Sequence, residues 1–201
     1  MAFLHSTTYS PKRWGQFEMK KILKLKLIFL LIIFSSCKEK SKFFDCECEK
    51  INLSKSLTIT DSLNHYRINY PNENWLPLIN LDSIGSGIVV ADKSLGYLRS
   101  FGVIEKEKEF DFNNWEVQQK SIEKEFNIIE KGEVDFFNQQ AKWNLVKIDK
   151  NKPIIWTLYL TFRHPKDDKF YTLNLTVEDQ KNVRNKICNI ESLIYGFKII
   201  E

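Results

Sequence analysis

Residues 154–164 read "IIWTLYLTFRH" and residues 170–179 read "FYTLNLTVED", and these two stretches carry the clearest fold signal in the chain. Apolar and polar side chains alternate along both, so that Leu158 lies on one side and Thr157 on the other. Strict alternation with one polar side is typical of an antiparallel sheet that is covered on one face. The "HPKDDK" between them supplies the Pro and Asp residues of a turn. We therefore predict two long antiparallel strands.

The same alternation predicts about seven strands within one domain, residues 57–201. The other five strands are expected at residues 65–71, 86–93, 97–106, 128–137 and 141–149. Two segments have helical spacing instead, with apolar stripes at Phe112, Trp115, Ile122 and Phe126, and at Val183, Ile187, Ile190 and Ile194. Such stripes are best buried against the apolar face of a sheet. The expected fold class is α+β, an antiparallel sheet of six or seven strands packed with helices.

The order of the predicted elements is specific enough to compare. A first strand ends in Tyr70-Pro71, Trp75 follows four residues after the proline, and two more strands, a helix, a hairpin, two long strands and a closing helix complete the order. This order resembles the PsbP-like family, the α/β/α sandwich of the photosystem subunit PsbP and the Ran-binding factor Mog. The chain departs from the family at residues 138–141, "NQQA", where relatives carry a hairpin Gly before an Ala. Over residues 57–201 the resemblance implies a non-enzymatic accessory or binding module, and it carries over no functional residue.

Residues 19–36 have the layout of a secretory signal peptide. A basic pair begins the segment, an apolar run follows at residues 27–34, and two serines precede Cys37. A helix over the apolar part would reach roughly 22 Å, short of the ~30 Å hydrocarbon core, so a transmembrane helix is the weaker interpretation. Residues 34–37, "FSSC", resemble the lipobox of bacterial lipoproteins, whose cysteine takes a diacylglycerol and an acyl chain such as palmitate. Cys37 is therefore the predicted lipid-attachment residue and membrane anchor.

The residues before Met19 do not look like the start of a signal. We interpret residues 1–18 as an upstream extension beyond the true start codon, and the alternative is that they are translated and lengthen the basic region. In either case they are removed with the signal peptide. For the apolar segment that ends at Cys37, the alternative to a signal peptide is a buried core helix with an incidental cysteine. Lys24 and Lys26 oppose this alternative, because they lie on opposite sides of any apolar stripe.

Removal of residues 1–36 changes the charge balance. The whole chain has 30 basic and 26 acidic residues and a net charge of +4. The leader holds six of the basic and one of the acidic residues, which leaves 24 against 25 and a net charge of −1. We therefore expect no basic field for nucleic acid.

Residues 37–56 are rich in Lys, Glu and Ser and have neither strand nor helical spacing. We interpret them as a flexible tether with a reach of about 24 Å. Its first three residues, "CKE", resemble the export signal that places lipoproteins on the outer face of the outer membrane in Bacteroidota. The expected location is the cell envelope, at the outer membrane, facing the periplasm or the cell surface.

Three thiols remain besides Cys37. Cys46 and Cys48 are too close along an extended chain to bridge each other, but either one bonded to Cys188 would close a long loop and tie the tether to the last helix. The alternative for Cys188 is a packed free thiol. Zinc ligation by Cys46 and Cys48 with His65 or Cys188 is disfavoured, because the cysteine spacing is too short and flanking acidic residues oppose thiolate formation. We expect no metal and no cofactor.

The chain carries no GxSxG elbow, HExxH helix or glycine-rich phosphate loop. We therefore expect a non-enzymatic binding module of the envelope, with an unknown envelope protein or small ligand as its partner. The candidate partner surface is the polar side of the two long strands, at Tyr159, Arg163 and Asn174, provided that this face is uncovered.

Two alternatives to a protein-binding module remain open. The first is an envelope hydrolase or metal-dependent enzyme with an unrecognised site, which a cleft joining His65 or His164 to acidic residues would favour. The second is peptidoglycan or glycan binding, which needs exposed aromatic rings in a groove.

Overall fold

The described part of the chain is built mainly from antiparallel strands. The computed structural model describes residues 39–82, 85–106, 123–124, 126–150, 152–163, 169–179 and 181–200. All of them belong to one structural unit, Lys38–Glu201. The signal peptide predicted at residues 19–36 and the lipid-attachment residue Cys37 lie outside the described residues. Nearly all of the helix predicted between Phe112 and Phe126 lies outside them as well.

Twelve strands and two short helices are found among these residues. The strands are β1 (Glu39–Lys40), β2 (Glu47–Cys48), β3 (Leu57–Thr60), β4 (Tyr66–Tyr70), β5 (Trp75–Asp82), β6 (Gly85–Asp92), β7 (Arg99–Lys106), β8 (Asn127–Phe136), β9 (Gln139–Ile148), β10 (Ile155–Arg163), β11 (Phe170–Glu178) and β12 (Phe197–Ile199). The helices are α1 (Val183–Ile190) and α2 (Ser192–Tyr195). The fold-class prediction is thus confirmed in part: the antiparallel sheet is present, but the described residues are richer in strand and poorer in helix than a helix-packed sandwich.

Seven of the strands form one antiparallel sheet in the order β5-β6-β7-β11-β10-β9-β8. The two long strands predicted from alternation are β10 and β11, and they pair along their whole length. Leu158 of β10 lies between Leu175 of β11 and Leu145 of β9, so apolar side chains form rows across the sheet. Each of these three leucines is fully buried. The alternation in the sequence therefore fixed both the strands and the face that they bury.

The apolar face of the sheet is covered by the C-terminal helices and a second, three-stranded sheet of order β12-β4-β3. The predicted stripe of α1 and α2 is buried, at Val183, Ile187, Ile190 and Ile194. Aromatic rings of both sheets meet in the core, where Tyr66 of β4 contacts Tyr171 of β11 with ring centroids 5.8 Å apart. Closely packed aromatic pairs of this kind contribute about 1 kcal/mol each beyond their buried area.

The opposite face of the sheet is less open than its polar sequence suggests. Thr157, Thr161 and Asn144 lie on this face and are buried. The threonine hydroxyls are paired across the strands, Thr157 with Thr176 at 3.0 Å and Thr161 with its partner in β11 at 3.1 Å. The middle of this face is therefore buried, whereas the predicted partner surface required an uncovered face.

The hairpin between β8 and β9 turns through two residues, Phe137 and Asn138. Both have positive φ, 51° and 58°, as a two-residue turn that matches the twist of the strands requires. Asparagine adopts this conformation readily, whereas a phenylalanine in it is rare. The turn thus begins one residue earlier than residues 138–140, which separate the two predicted strands, and it presents an aromatic ring at the hairpin tip.

Residues 41–53 pack against the domain, which corrects the predicted tether over residues 37–56. Phe43 and Phe44 are buried, and their rings contact the edge of Trp143 at centroid distances of 5.8 Å and 5.9 Å. The short β1–β2 ladder pairs Glu39 with Cys48. The folded unit therefore begins well before Leu57, because two aromatic side chains inside a polar stretch find places in the core.

The C-terminal helices hold this N-terminal segment at several points. The buried carboxylate of Glu191, between α1 and α2, accepts a hydrogen bond from the backbone N–H of Lys42 at 3.0 Å and lies 3.6 Å from the ammonium of Lys50. Ser192 Oγ donates to the carbonyl of Ile51 at 2.8 Å, and the N–H of Ile51 donates to the carbonyl of Asn189 at 3.0 Å. Backbone and side-chain contacts together fix the segment's path.

Neither of the two helices in the described residues has the length and apolar character that crossing a bilayer would require.

Candidate functional site

The first candidate surface is a group of exposed apolar side chains on β5, β6 and β7, which we call the apolar edge: Leu76, Leu78, Val89 and Ile104. These residues share the sheet face that points away from the main core, and Leu78 lies directly opposite Val89. Leu78 is 57% exposed, and the other three are exposed as well. Contiguous exposed apolar side chains on a soluble domain mark interaction surfaces more often than single ones do.

The strand β5 is an edge strand of the seven-stranded sheet, and its backbone limits the kind of partner that the apolar edge can bind. Pro77 lies within this strand and has no N–H to offer to an added strand. Leu76 and Leu78 flank the proline on the exposed face. The geometry therefore suits a partner that packs on side chains better than one that extends the sheet.

The second candidate surface is an open pocket of about 730 Å³ at the other end of the sheet. We call it the aromatic–lysine pocket, and its lining is formed by Lys42, Asp135, Phe136, Phe137, Asn138, Tyr195, Phe197 and Lys198. The ring of Phe137 is 45% exposed and that of Tyr195 is 42% exposed. Exposed rings in a groove are the feature that glycan binding needs, and they equally suit an apolar or interfacial ligand.

The β8–β9 hairpin and α2 hold the two exposed rings in position. The Phe137 ring contacts Phe136 at 4.7 Å and Phe197 at 6.0 Å, so its inner side is packed while its outer side faces the pocket. Lys42 Nζ lies 5.1 Å from the centroid of the Tyr195 ring, a cation–π distance. The N-terminal segment thus contributes directly to the pocket through Lys42.

The third candidate is a polar cluster around the buried carboxylate of Glu105. His65 Nδ1 and Lys169 Nζ each lie 2.9 Å from Glu105 Oε1, and the hydroxyl of Tyr171 donates to Oε2 at 3.3 Å. Lys169 Nζ is also 2.9 Å from His65 Nδ1. That nitrogen donates to the carboxylate only when it carries a proton and accepts from the ammonium only when it does not. Which of these two contacts is a hydrogen bond therefore depends on the tautomer of His65.

A fourth cluster links the sheet to α1. The guanidinium of Arg99 pairs with the buried carboxylate of Asp92, donates to Asn189 Oδ1 at 2.8 Å, and stacks 5.4 Å from the Trp75 ring. Burial alone would raise the pKa of Asp92, but hydrogen bonds from Ser94 and Arg99 outweigh it and hold that pKa below its usual value. This cluster stabilises the ionised carboxylate, and the buried Arg99 Nε is left without a hydrogen-bond partner among the described residues.

The cysteines predicted to bridge are brought together. Cys48 and Cys188 form a disulfide with Cα atoms 6.1 Å apart. Cys46 remains a thiol, and burial together with the charge of Glu191 raises its pKa above the ordinary value. Within the described ranges, no three His, Cys, Asp or Glu side chains come close enough together to hold a metal ion. His164, the other histidine considered for an enzyme, lies outside the described residues.

The predicted partner surface on β10 and β11 is only partly gathered. Tyr159 and Asn174 are directly opposite each other and both are half-buried, whereas Arg163 is exposed at the end of β10. The amide of Asn174 lies over Gly102, in space that a larger residue there would fill. The role of these three residues as a partner surface stays a prediction. The side chains at the centre of the same sheet face are buried.

Sequence reasoning missed the apolar edge and the aromatic–lysine pocket. A signal for the first was present, because Leu76 and Leu78 alternate with residues whose partners in β6 are buried. A signal for the second was the pair Phe136-Phe137 before an asparagine, since a hairpin turn necessarily exposes one of two consecutive rings. The contribution of Lys42 was not predictable, because it depends on how the N-terminal segment packs.

Comparisons with known proteins give a likeness of shape without a likeness of sequence. No protein-family model matches the chain, and no curated protein matches its sequence. A solved structure of a mutant of protein Mog1 aligns with a TM-score of 0.50 at 9% identity, over 73% of this chain and 96% of that one. The chain shares its fold with Mog1.

Two further structures align less closely. The Ran-binding protein Mog1p of Saccharomyces cerevisiae aligns with a TM-score of 0.49 at 12% identity, over 73% of this chain and 96% of Mog1p. A Pseudomonas aeruginosa protein of unknown function, PA94, aligns with a TM-score of 0.40 at 10% identity, over 61% and 83%. At such identities the Mog1 likeness concerns the fold alone, because one fold hosts many functions.

Proposed function

We propose that the protein is a lipid-anchored, non-enzymatic binding module of the cell envelope. Its anchor would be a diacylglycerol on Cys37, supported by the lipobox-like "FSSC" and the signal-like residues before it. Its location would be the outer membrane, facing the periplasm or the cell surface, supported by the residues "CKE" that follow cleavage.

The observation that carries the binding role is the apolar edge. Leu78 and Val89 form an exposed cross-strand pair, and Leu76 and Ile104 continue it along β5 and β7. Because these side chains are already about half buried, a partner that covered them would gain roughly 1 kcal/mol for each one. The proposed partner is an envelope protein with a complementary apolar surface, since Pro77 disfavours addition of a strand to β5.

The partner contact is tested by photocrosslinking in the native cell. A photoreactive side chain in place of Val89 is expected to give one discrete protein adduct, and Leu78→Glu in the same chain is expected to abolish it. Leu63→Glu is the matched control, because Leu63 is also an exposed leucine but lies in the β3–β4 loop. An adduct that survives Leu78→Glu, or no adduct at all, contradicts the proposal.

A second candidate function is an envelope hydrolase or metal-dependent enzyme, and one observation favours it. The His65–Glu105 contact at 2.9 Å is the carboxylate–imidazole pairing that orients a general base. The His65 side chain is 36% exposed, so its other ring nitrogen is within reach of solvent. No described nucleophile is hydrogen-bonded to His65, and for that reason we place this function second.

The enzymatic candidate is tested with the full-length protein and the variant His65→Asn. Hydrolysis of a panel of chromogenic esters, phosphoesters and glycosides, each with and without added zinc, is compared between the two. Turnover by the native protein that disappears in His65→Asn would establish the enzymatic function. Equal background rates for both proteins on every substrate would reject it for these substrate classes.

A further inference from the structure

We infer that the aromatic–lysine pocket lies against the lipid bilayer, with Phe137 and Tyr195 in the headgroup layer and Lys42 and Lys198 beside anionic headgroups. This inference rests on the proposed lipid at Cys37 and extends it from an anchor to a defined orientation of the domain.

Chain length places the pocket close to the anchor. Glu39 begins β1 only two residues after Cys37, so their Cα atoms are at most about 7 Å apart. Lys42 follows three residues later, within about 18 Å of Cys37 even in a fully extended chain. Because Lys42 N–H is held by Glu191 and its ammonium lies over the Tyr195 ring, this part of the chain has a fixed path. A lipid on Cys37 would therefore hold the pocket side of the domain near the membrane.

The chemistry of the pocket fits an interface between water and lipid. Phe137 and Tyr195 are exposed rings, and tyrosine in particular accumulates at the headgroup level of membranes. Lys42 and Lys198 are exposed and supply positive charge next to the rings, as lysines that extend towards anionic headgroups do. Asp135 opposes them, so the local charge is that of two lysines against one aspartate.

The pocket and the apolar edge lie at opposite ends of the seven-stranded sheet. The hairpin that carries Phe137 joins β8 and β9 at one end of the seven-stranded sheet, and the apolar edge lies on β5, β6 and β7 at the other end. Six strand spacings of about 4.8 Å separate β8 from β5, roughly 29 Å. If the pocket rests on the membrane, the apolar edge stays in the aqueous space, where a protein partner can reach it.

The test uses the full-length, lipid-processed protein in vesicles of phosphatidylethanolamine and phosphatidylglycerol, in a ratio of about three to one. A benzophenone side chain replaces Phe137 in one variant, Tyr195 in a second and Leu78 in a third, and adducts are identified by mass after irradiation. We expect phospholipid adducts at positions 137 and 195 at a yield about fivefold or more above that at position 78. Leu78 is the matched control because it is at least as exposed as the two rings but lies at the other end of the sheet.

Three further measurements make the outcome decisive. Thermal unfolding identifies a benzophenone variant that does not fold, and whichever of the Phe137 and Tyr195 variants is folded then carries the test. Lys198→Glu is expected to lower the lipid-adduct yield at position 195 severalfold. Equal lipid yields at positions 195 and 78 would overturn the inference. Adducts at position 195 to protein or glycan in intact cells, in place of lipid, would overturn it as well.

The mass of the N-terminal peptide separates failure of this inference from failure of the proposed anchor. A diacylglycerol on Cys37 without lipid adducts at position 195 leaves the anchor intact and rejects only the orientation. An unmodified Cys37 rejects the anchor, and the inference falls with it.

Discussion

Cys48 and Cys188 are bonded through their sulfur atoms although 140 residues separate them along the chain. The bond joins the N-terminal segment to α1, and the hydrogen bonds of Glu191, Asn189 and Ser192 reinforce the same junction. The N-terminal segment has the composition of a linker, but a disulfide and several hydrogen bonds attach it to the C-terminal helices. Disulfides persist in oxidising compartments such as the periplasm, which agrees with the proposed location.

Loss of this disulfide should lower stability substantially. A bond that closes a loop of this length restricts the unfolded chain strongly, so the double variant Cys48→Ser/Cys188→Ser is expected to lose about 2–5 kcal/mol of unfolding free energy. Denaturant unfolding of the oxidised protein and the variant measures the difference. The control is Cys46→Ser, expected to change stability by less than about 0.5 kcal/mol, because Cys46 forms no disulfide. A double variant as stable as the oxidised protein would contradict a stabilising role for the Cys48–Cys188 disulfide.

The carboxylate of Glu191 should be the main polar contributor to the junction. Glu191→Ala removes the acceptor for Lys42 N–H and leaves Lys50 without its buried partner, so we expect a loss of about 2–4 kcal/mol. The matched control is Glu133→Ala, whose carboxylate is exposed and whose ion pair with Lys142 is expected to contribute no more than about 1 kcal/mol. Similar losses in the two variants, measured by urea unfolding, would show that Glu191 has no special role.

Asp92 should make stability depend on pH in the acid range. Its pKa is lowered in the folded protein, so its contribution is fully present above the unfolded value of about 3.9 and is lost as the pH falls through the folded value. The variant Asp92→Asn has no carboxylate and lacks this contribution at every pH. The stability difference between the native protein and the variant should therefore be largest at neutral pH and shrink below about pH 4. Urea unfolding at several pH values measures it. Asp135→Asn, at an exposed site, is the control and should show no such convergence.

Gly132 should tolerate no side chain. A Cβ built at this position of β8 would lie 2.9 Å from atoms of the Trp143 indole, whereas one at Gly96 meets nothing within 4 Å. We expect Gly132→Ala to cost about 1–3 kcal/mol through displacement of the ring, and Gly96→Ala to be neutral within about 0.5 kcal/mol. Thermal unfolding with tryptophan fluorescence follows both the stability and the ring. A neutral Gly132→Ala would mean that Trp143 shifts freely, contrary to its packing against Phe43 and Phe44.

The sequence predicted the parts of the fold that depend on the spacing of apolar residues close together in the chain. The strands around Leu158 and Leu175 and the stripe through Ile187 follow from residues two to four positions apart, so neighbouring letters were sufficient. The seven-stranded sheet itself was expected for the same reason. The helix predicted between Phe112 and Phe126 lies almost wholly outside the described residues.

The parts that the sequence did not predict depend on distant residues. Phe43 lies in a polar stretch of sequence. Its ring packs against Trp143, a hundred positions later, and this distant contact places the stretch in the folded domain. The His65–Glu105 pair joins residues 40 positions apart, and neither residue has a local pattern that points to the other. The hairpin tip at Phe137 was shifted because a phenylalanine with positive φ runs against local preference and is maintained by ring packing.

The central claim is that a lipid on Cys37 holds this folded domain directly at a membrane, and one mass measurement tests it most directly. The protein is extracted from membranes of the native cell, digested, and its N-terminal peptide is weighed. We predict a chain that begins at Cys37 and carries a thioether-linked diacylglycerol. A native chain that still contains residues 19–36 and a free Cys37 thiol would contradict the account.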